Sequence, residues 1–180
     1  MPGKDAARRQ HRVGSLMTVR KHHTVRPCGP EDLEFMWEML YEAAHYRPLS
    51  DPHISRYLRG WGRKGDAGVI SLDPDDGSKR GAAWYRLMPV EDPGYGFVDA
   101  STPEVVIAVA PDQRGTGMGG ALLRGLLDTA RSQGFDALGL SVRKDNHVAI
   151  RLYERSGFLK LSSGEGSWTM KADLADPGGE

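Results

Sequence analysis

Glu104-Val105-Val106-Ile107-Ala108-Val109-Ala110-Pro111-Asp112-Gln113-Arg114-Gly115-Thr116-Gly117-Met118-Gly119-Gly120 is the stretch from which the fold is read. Val105 to Val109 form an unbroken apolar run, the pattern of a strand buried on both faces and so central in its sheet. Four glycines follow, and from about Gly117 to Gln133 the spacing turns helical. Leu122, Leu123, Leu126, Leu127 and Ala130 make an inner stripe, Arg124, Asp128 and Arg131 lie outside, and Gly134 stops the helix. A glycine loop between a buried strand and the first turn of a helix is chemically specific. Without Cβ atoms, several backbone N–H groups can approach one anion, and the helix start adds unpaired donors and partial positive charge. Gly115, Thr116, Gly117, Met118, Gly119 and Gly120 are therefore candidate phosphate donors, with Arg114 available for a charge-assisted contact.

Outward from this segment, strands and helices alternate. Thr24 to Pro27 reads as a first strand, broken by Gly29 and Pro30. A helix from Pro30 to Tyr46 follows, with an apolar face of Leu33, Met36, Trp37, Leu40, Tyr41 and Ala44. A second helix is expected from Pro52 to Arg59. Strands Gly68 to Leu72 and Gly81 to Met88 form a hairpin across the turn cluster Asp73 to Ser78. Beyond the glycine loop come a strand from Ala137 to Val142 and a helix from Asp145 or Asn146 to Ser156. Closing strands are placed near Phe158 to Leu161 and Trp168 to Lys171. Crossovers together with hairpins give a mixed sheet in an α/β layer architecture.

A chain of 180 residues suits one domain. The 24 basic residues balance the 24 acidic ones, so the overall field gives no reason to expect nucleic acid or an anionic membrane as partner. No apolar run reaches the ~20 residues of a membrane span, and no secretory signal is visible. The expected location is cytoplasmic. The lone Cys28 has no internal disulfide partner. Residues 1–22 read as a disordered basic leader, with Met17 as an alternative start. Residues 23–172 read as the folded domain, and 173–180 as a flexible tail.

Three readings of the glycine loop stand side by side. Gly115, Gly117 and Gly120 satisfy the dinucleotide pattern G-x-G-x-x-G, with Asp136 at the distance of a ribose-binding acid. Against that, Pro111 to Arg114 separate the strand from the first glycine, and little chain remains for a doubly wound domain. A Walker loop would end in G-K-[ST], which is absent. The third reading is a tight turn that only eases packing.

Arg114 to Gly119 resembles the Q/R-x-x-G-x-G/A loop of the GNAT superfamily of N-acetyltransferases. Asn146-His147-Val148-Ala149-Ile150-Arg151-Leu152-Tyr153-Glu154-Arg155-Ser156-Gly157-Phe158 resembles that superfamily's N-x-x-A-x-x-L-Y-x-x-x-G-F segment. The looser likeness extends over Thr24 to Lys171. It implies a mostly antiparallel mixed sheet of about seven strands flanked by about four helices, with two splayed parallel strands in the middle. It further implies acetyl-CoA as donor, its pyrophosphate on the glycine loop and its pantetheine along the strand ending at Val109. An N–H near Ala108 or Val109 is then expected at the thioester oxygen, with Asn146 and Tyr153 together on one helix face. Tyr153 is the candidate acid for the leaving sulfur. An amine acceptor must lose a proton, and Glu104 is the first candidate base, Asp99 the second.

Tyr41, His45, Tyr57, Trp61, Trp84, Tyr95 and Phe97 are available to an acceptor pocket, with Tyr57, Trp61 and Trp84 foremost beside Asp99. The scattered histidines form no metal set. A monomer or homodimer is expected. Two other functions are compatible with the same residues: a catalytically silent acyl-CoA or nucleotide sensor, and a dinucleotide-dependent oxidoreductase.

Overall fold

In the computed structural model, residues 22–175 are described; the leader reading for 1–21 and the tail beyond 175 lie outside them. The elements are β1 Thr24–Pro27, α1 Leu33–Ala43, α2 Pro52–Ser55, β2 Ala67–Leu72, β3 Lys79–Arg86, β4 Glu104–Val109, α3 Met118–Ser132, β5 Ala137–Arg143, α4 His147–Arg155, β6 Leu159–Ser163 and β7 Ser167–Asp173. Seven strands make one sheet in the order β1-β2-β3-β4-β5-β7-β6. Every neighbouring pair is antiparallel except β4 with β5. A single parallel pair is incompatible with a doubly wound dinucleotide fold, so the G-x-G-x-x-G match is coincidental.

α3 covers one face of the sheet. Its stripe is the expected one, Leu122, Leu123, Leu126, Leu127 and Ala130, joined by Met118. They pack with Val105, Leu138, Leu140, Tyr153 and Phe158. α1 and the α2 segment cover the other face against Ile70, Ala82, Trp84 and Val106. The buried stripe of α1 is Met36, Met39 and Leu40, whereas Tyr41 is exposed. Asp32 explains the rotation. It is fully buried at the helix start, accepting from Gly29 N (2.8 Å), paired with Arg26 (2.7 Å) and Lys79 (2.8 Å). The face bearing Asp32 is thus pinned to β1 and β3, which turns Met39 rather than Tyr41 inward.

The Arg26 guanidinium, with Lys79 and the Gly29 N–H, holds the Asp32 carboxyl far below the usual carboxylate range. A depressed acid stabilises the fold fully above its unfolded value of about 4, and the contribution is lost as pH falls through the folded value. Asp32→Asn should therefore flatten the fall in melting temperature between about pH 4 and pH 2, as scanning calorimetry across that range would read. An unchanged slope would remove Asp32 from the acid lability.

α2 is shorter than the expected helix to Arg59. Asp51 caps it by accepting from His53 N (2.9 Å), but the chain leaves the helix after one turn. Arg86 accounts for the early end, since its Nη1 donates to the carbonyls of Arg56 (3.0 Å) and Arg59 (2.6 Å). Carbonyls that would otherwise continue a ladder are satisfied by a side chain from β3. At the other end of the chain, β7 runs to Asp173 and Leu174 is buried, beyond the expected limit at Lys171.

Candidate active site

β4 and β5 touch at one register position, Glu104 opposite Gly139, closed by Gly139 N donating to Pro103 O (2.9 Å). Past that point they diverge. The consequence shows in burial: Glu104, Val105 and Val106 are buried, while Ile107, Ala108 and Val109 are half-buried in the middle of a seven-stranded sheet.

The edge of β4 facing the split follows from the β3 ladder, which pairs Gly81 with Val109 through Arg86 with Glu104 without a register shift. Ala110 N donates to Arg80 O (2.7 Å), continuing that ladder. Backbone groups alternate between the two edges of a strand. Ala108, Val106 and Glu104 therefore bond toward β3, and Val109 and Ile107 aim their N–H and C=O into the split. Ala108 is thus replaced by Ile107 as a main-chain donor. Only the register could reveal this.

At the open end of the split lies the glycine loop. Gly115 and Gly117 have φ of 76° and 87°, the left-handed region that favours glycine. The first bond of α3 runs from Ala121 N to Gly117 O (3.2 Å), leaving the N–H groups of Met118, Gly119 and Gly120 without a helical acceptor. Loop shape is held from within and from the residue before β1, by Thr116 Oγ1 donating to Gln113 O (2.7 Å) and by His23 Nε2 donating to Thr116 O (3.0 Å). The side chain of Met118 is buried in the core, so only its main chain can serve a ligand. Arg114 reaches away to Glu42 at 3.4 Å. Beside Gly117 and Gly120 a groove of about 650 Å³ runs between α3 and α4, lined by Arg124, Leu127, Leu152 and Arg155.

α4 presents Tyr153, whose ring packs against Phe158 (5.9 Å between centroids). Burial pushes its hydroxyl up to about 12, so it is protonated at neutral pH. Asn146 is not on a helix face with it. It is the N-cap, its side-chain oxygen accepting from Ala149 N (3.2 Å), and its amide N–H groups are left for a ligand.

Glu104 is buried, not an exposed strand-end carboxylate. Oε1 accepts from Tyr57 Oη (3.1 Å) and Gly96 N (2.8 Å), whereas Oε2, packed beside Gly94, has no hydrogen-bond partner among the described residues. Burial raises its pKa above the ordinary glutamate value. Asp99 is a different case. It is exposed and accepts from Ser101 N and Oγ (2.9 and 2.7 Å), and these bonds hold it below the usual range, which makes it a turn residue and a poor base.

Of the aromatics, Tyr57 belongs to the Glu104 network and stacks on Tyr95 (6.5 Å). Trp84 is fully buried in the core, its Nε1 donating to Tyr57 O (3.0 Å), and lines no pocket. Trp61 lies under Arg86 (5.6 Å). Burial pushes the Cys28 thiol up to about 11, so it is no nucleophile at neutral pH.

Tyr153 and Glu104 lie on opposite faces of the sheet. Tyr153 packs in the α3 cluster, while Glu104 bonds Tyr57 of the α1 cluster. An intact sheet would separate them. The gap between β4 and β5 is where groups from both faces can address one substrate.

The sequence model of the Acetyltransferase (GNAT) family matches residues 33–158. A mycothiol acetyltransferase from Beutenbergia cavernae is 34% identical over 110 residues, covering 54% of this chain and 37% of that protein. The N-alpha-acetyltransferase RimI of Mycobacterium tuberculosis is 39% identical over 79 residues, covering 39% of this chain and 48% of that protein. The chain therefore spans less than half the length of either curated relative. Among solved structures, YncA from Salmonella typhimurium, determined with its cofactor acetyl-CoA, aligns with a TM-score of 0.66 at 21% identity over 88% of this chain and 98% of that one.

Proposed function

The chain belongs to the Acetyltransferase (GNAT) family, and on that footing we propose that it is an N-acetyltransferase moving the acetyl group of acetyl-CoA directly to a primary amine. The observation that carries this reading is the split itself: β4 and β5 pair once, and the N–H groups freed on β4 lead to a loop whose own donors are unpaired. This chain's groups fit the donor. Main-chain N–H of Met118, Gly119 and Gly120 suit the pyrophosphate, and Val109 and Ile107 can pair with pantetheine amides as an added strand would. The groove with Arg124 and Arg155 offers cations and an apolar floor for the phosphorylated adenosine.

Acetyl-CoA supplies a thioester, and transfer leaves an amide and a thiol; the amine nitrogen gives up a proton and the sulfur gains one. A split-facing N–H, from Ile107 or Val109, stabilises the oxygen on which charge develops. Tyr153 donates the proton to sulfur. Glu104 takes the amine's proton at Oε2, directly or through water. Its raised pKa brings it nearer neutrality, where a base works best.

The reading is tested by calorimetry with acetyl-CoA, followed by thiol release over an amine panel. Binding without turnover on any amine would favour a sensor. Gly117→Val probes the loop: a Cβ at Gly117 meets nothing within 4 Å, so it projects into open space, and a β-branched residue resists φ of 87° by about 1–3 kcal/mol. Acetyl-CoA binding should weaken about tenfold or more. Unchanged affinity would place the coenzyme elsewhere.

A further inference from the structure

At the end of β4 away from the glycine loop lies a second cavity, of about 230 Å³, lined by Arg56, Arg59, Arg63, Ser55, Met88 and Asp92 among others. Its position follows from the ladder. Met88 is two residues past Arg86, which pairs with Glu104, so the cavity sits near the closed end of the split, while the loop follows Val109. It is also on the Glu104 face, since Met88 and Tyr57 share one core cluster.

Three guanidinium groups line this cavity against one carboxylate. Arg56 pairs with Asp92 (3.0 Å), yet its Nε is buried without a partner. Among the described residues the Arg59 side chain bonds only the neutral Ser55 Oγ (2.9 Å). Arg63 has no side-chain hydrogen bond or ion pair among the described residues. In a chain whose formal charge is zero, such a concave excess of forked donors is matched to an anion. The cavity is too small for a whole substrate and fits one carboxylate or phosphate group.

Arg56 also joins the cavity to the proton acceptor. Its guanidinium lies 5.2 Å from the Tyr95 ring and 5.7 Å from the Tyr57 ring, and Tyr57 Oη bonds Glu104 (3.1 Å). The cavity and Glu104 are thus linked through one shared side chain, Tyr57.

We propose that this cavity is an anion subsite for the acceptor, so that the amine receiving the acetyl group carries a carboxylate or a phosphate bound by Arg59 and Arg63. The proposal rests on the acetyl-transfer reading and narrows its substrate class.

The test uses the full chain saturated with CoA, so that the glycine loop is filled. Inorganic phosphate and succinate are titrated separately against wild type and the Arg59→Gln/Arg63→Gln double variant, followed by amide NMR shifts. Both side chains are exposed and neither belongs to the core. Phosphate or succinate should bind wild type and shift residues around Arg59, with affinity at least about tenfold weaker in the double variant. Turnover is then compared for glucosamine against glucosamine 6-phosphate, and cadaverine against lysine. Preference for the phosphorylated amine identifies phosphate, and preference for lysine identifies carboxylate; either should vanish in the double variant. If wild type binds acetyl-CoA but neither anion shifts the cavity, or both proteins bind it alike, the subsite is refuted. Failure to bind acetyl-CoA at all would instead overturn the acetyl-transfer reading.

Discussion

Tyr153→Phe should lower kcat by about 10²-fold or more, the range of a lost general acid, with the dissociation constant for acetyl-CoA nearly unchanged. Only an oxygen is removed. The ring that packs on Phe158 (5.9 Å) and the surrounding α3 cluster are retained, so the site keeps its shape. The hydroxyl makes no hydrogen bond among the described residues, and burial pushes it up to about 12. It therefore holds its proton through the neutral range and has no competing acceptor. In the proposed reaction the sulfur of the departing thiol would be that acceptor as charge grows on it. Steady-state rates on the best amine, beside calorimetry for the coenzyme, separate this role from packing. Full turnover in the variant removes Tyr153 from the chemistry, whereas loss of coenzyme affinity in step with rate assigns it to binding.

Arg86→Met should destabilise the fold by about 3–5 kcal/mol, the cost of stranding one partner of a buried ion pair. Arg86 and Asp66 have side chains 1% and 3% exposed and meet at 2.6 Å, with a second bond at 2.9 Å. Truncation leaves the Asp66 carboxylate buried and frees the carbonyls of Arg56 and Arg59. Asp66 keeps the N–H groups of Gly62 (3.0 Å) and Arg63 (2.9 Å), which limits the loss. A fall in melting temperature of about 10 °C is expected by calorimetry, with the free-energy loss read from urea unfolding at constant m. A loss below 1 kcal/mol would show that water reaches Asp66 and that the pair contributes little. Because the freed carbonyls belong to the segment lining the arginine cavity, acceptor selectivity should suffer before coenzyme binding does.

The donor half of the site was legible because it is made of main chain and local pattern. Glycine is the residue that tolerates the positive φ found at Gly115 and Gly117, and a helix start leaves unpaired N–H groups. The α3 stripe was equally plain, since five apolar residues at helical spacing leave one face to bury. The acceptor half was harder. Trp84 and Tyr57 are both aromatics by composition, but one is core and the other bonds Glu104, a distinction made by strand register and by the loop carrying Gly96. Asp99 and Glu104 are both acids near one strand, yet Ser101 occupies the first while burial and Tyr57 define the second. The α1 stripe was displaced because Asp32 is held inside by Arg26 and Lys79, a pairing between segments distant in sequence.

What the chain's letters determined unaided was the order of strands and helices, the glycine loop that opens α3 and the motif running through Tyr153 to Phe158. These depend on backbone preferences and contacts a few residues apart. What only the folded molecule decided was that Ile107 rather than Ala108 faces the split, that Glu104 and Tyr153 lie on opposite faces of the sheet, and that Arg56, Arg59 and Arg63 share a cavity. Each of these turns on which edge of a strand is already bonded, or on which distant segments are brought together by the burial of two apolar faces. Neither can be read from neighbours in sequence.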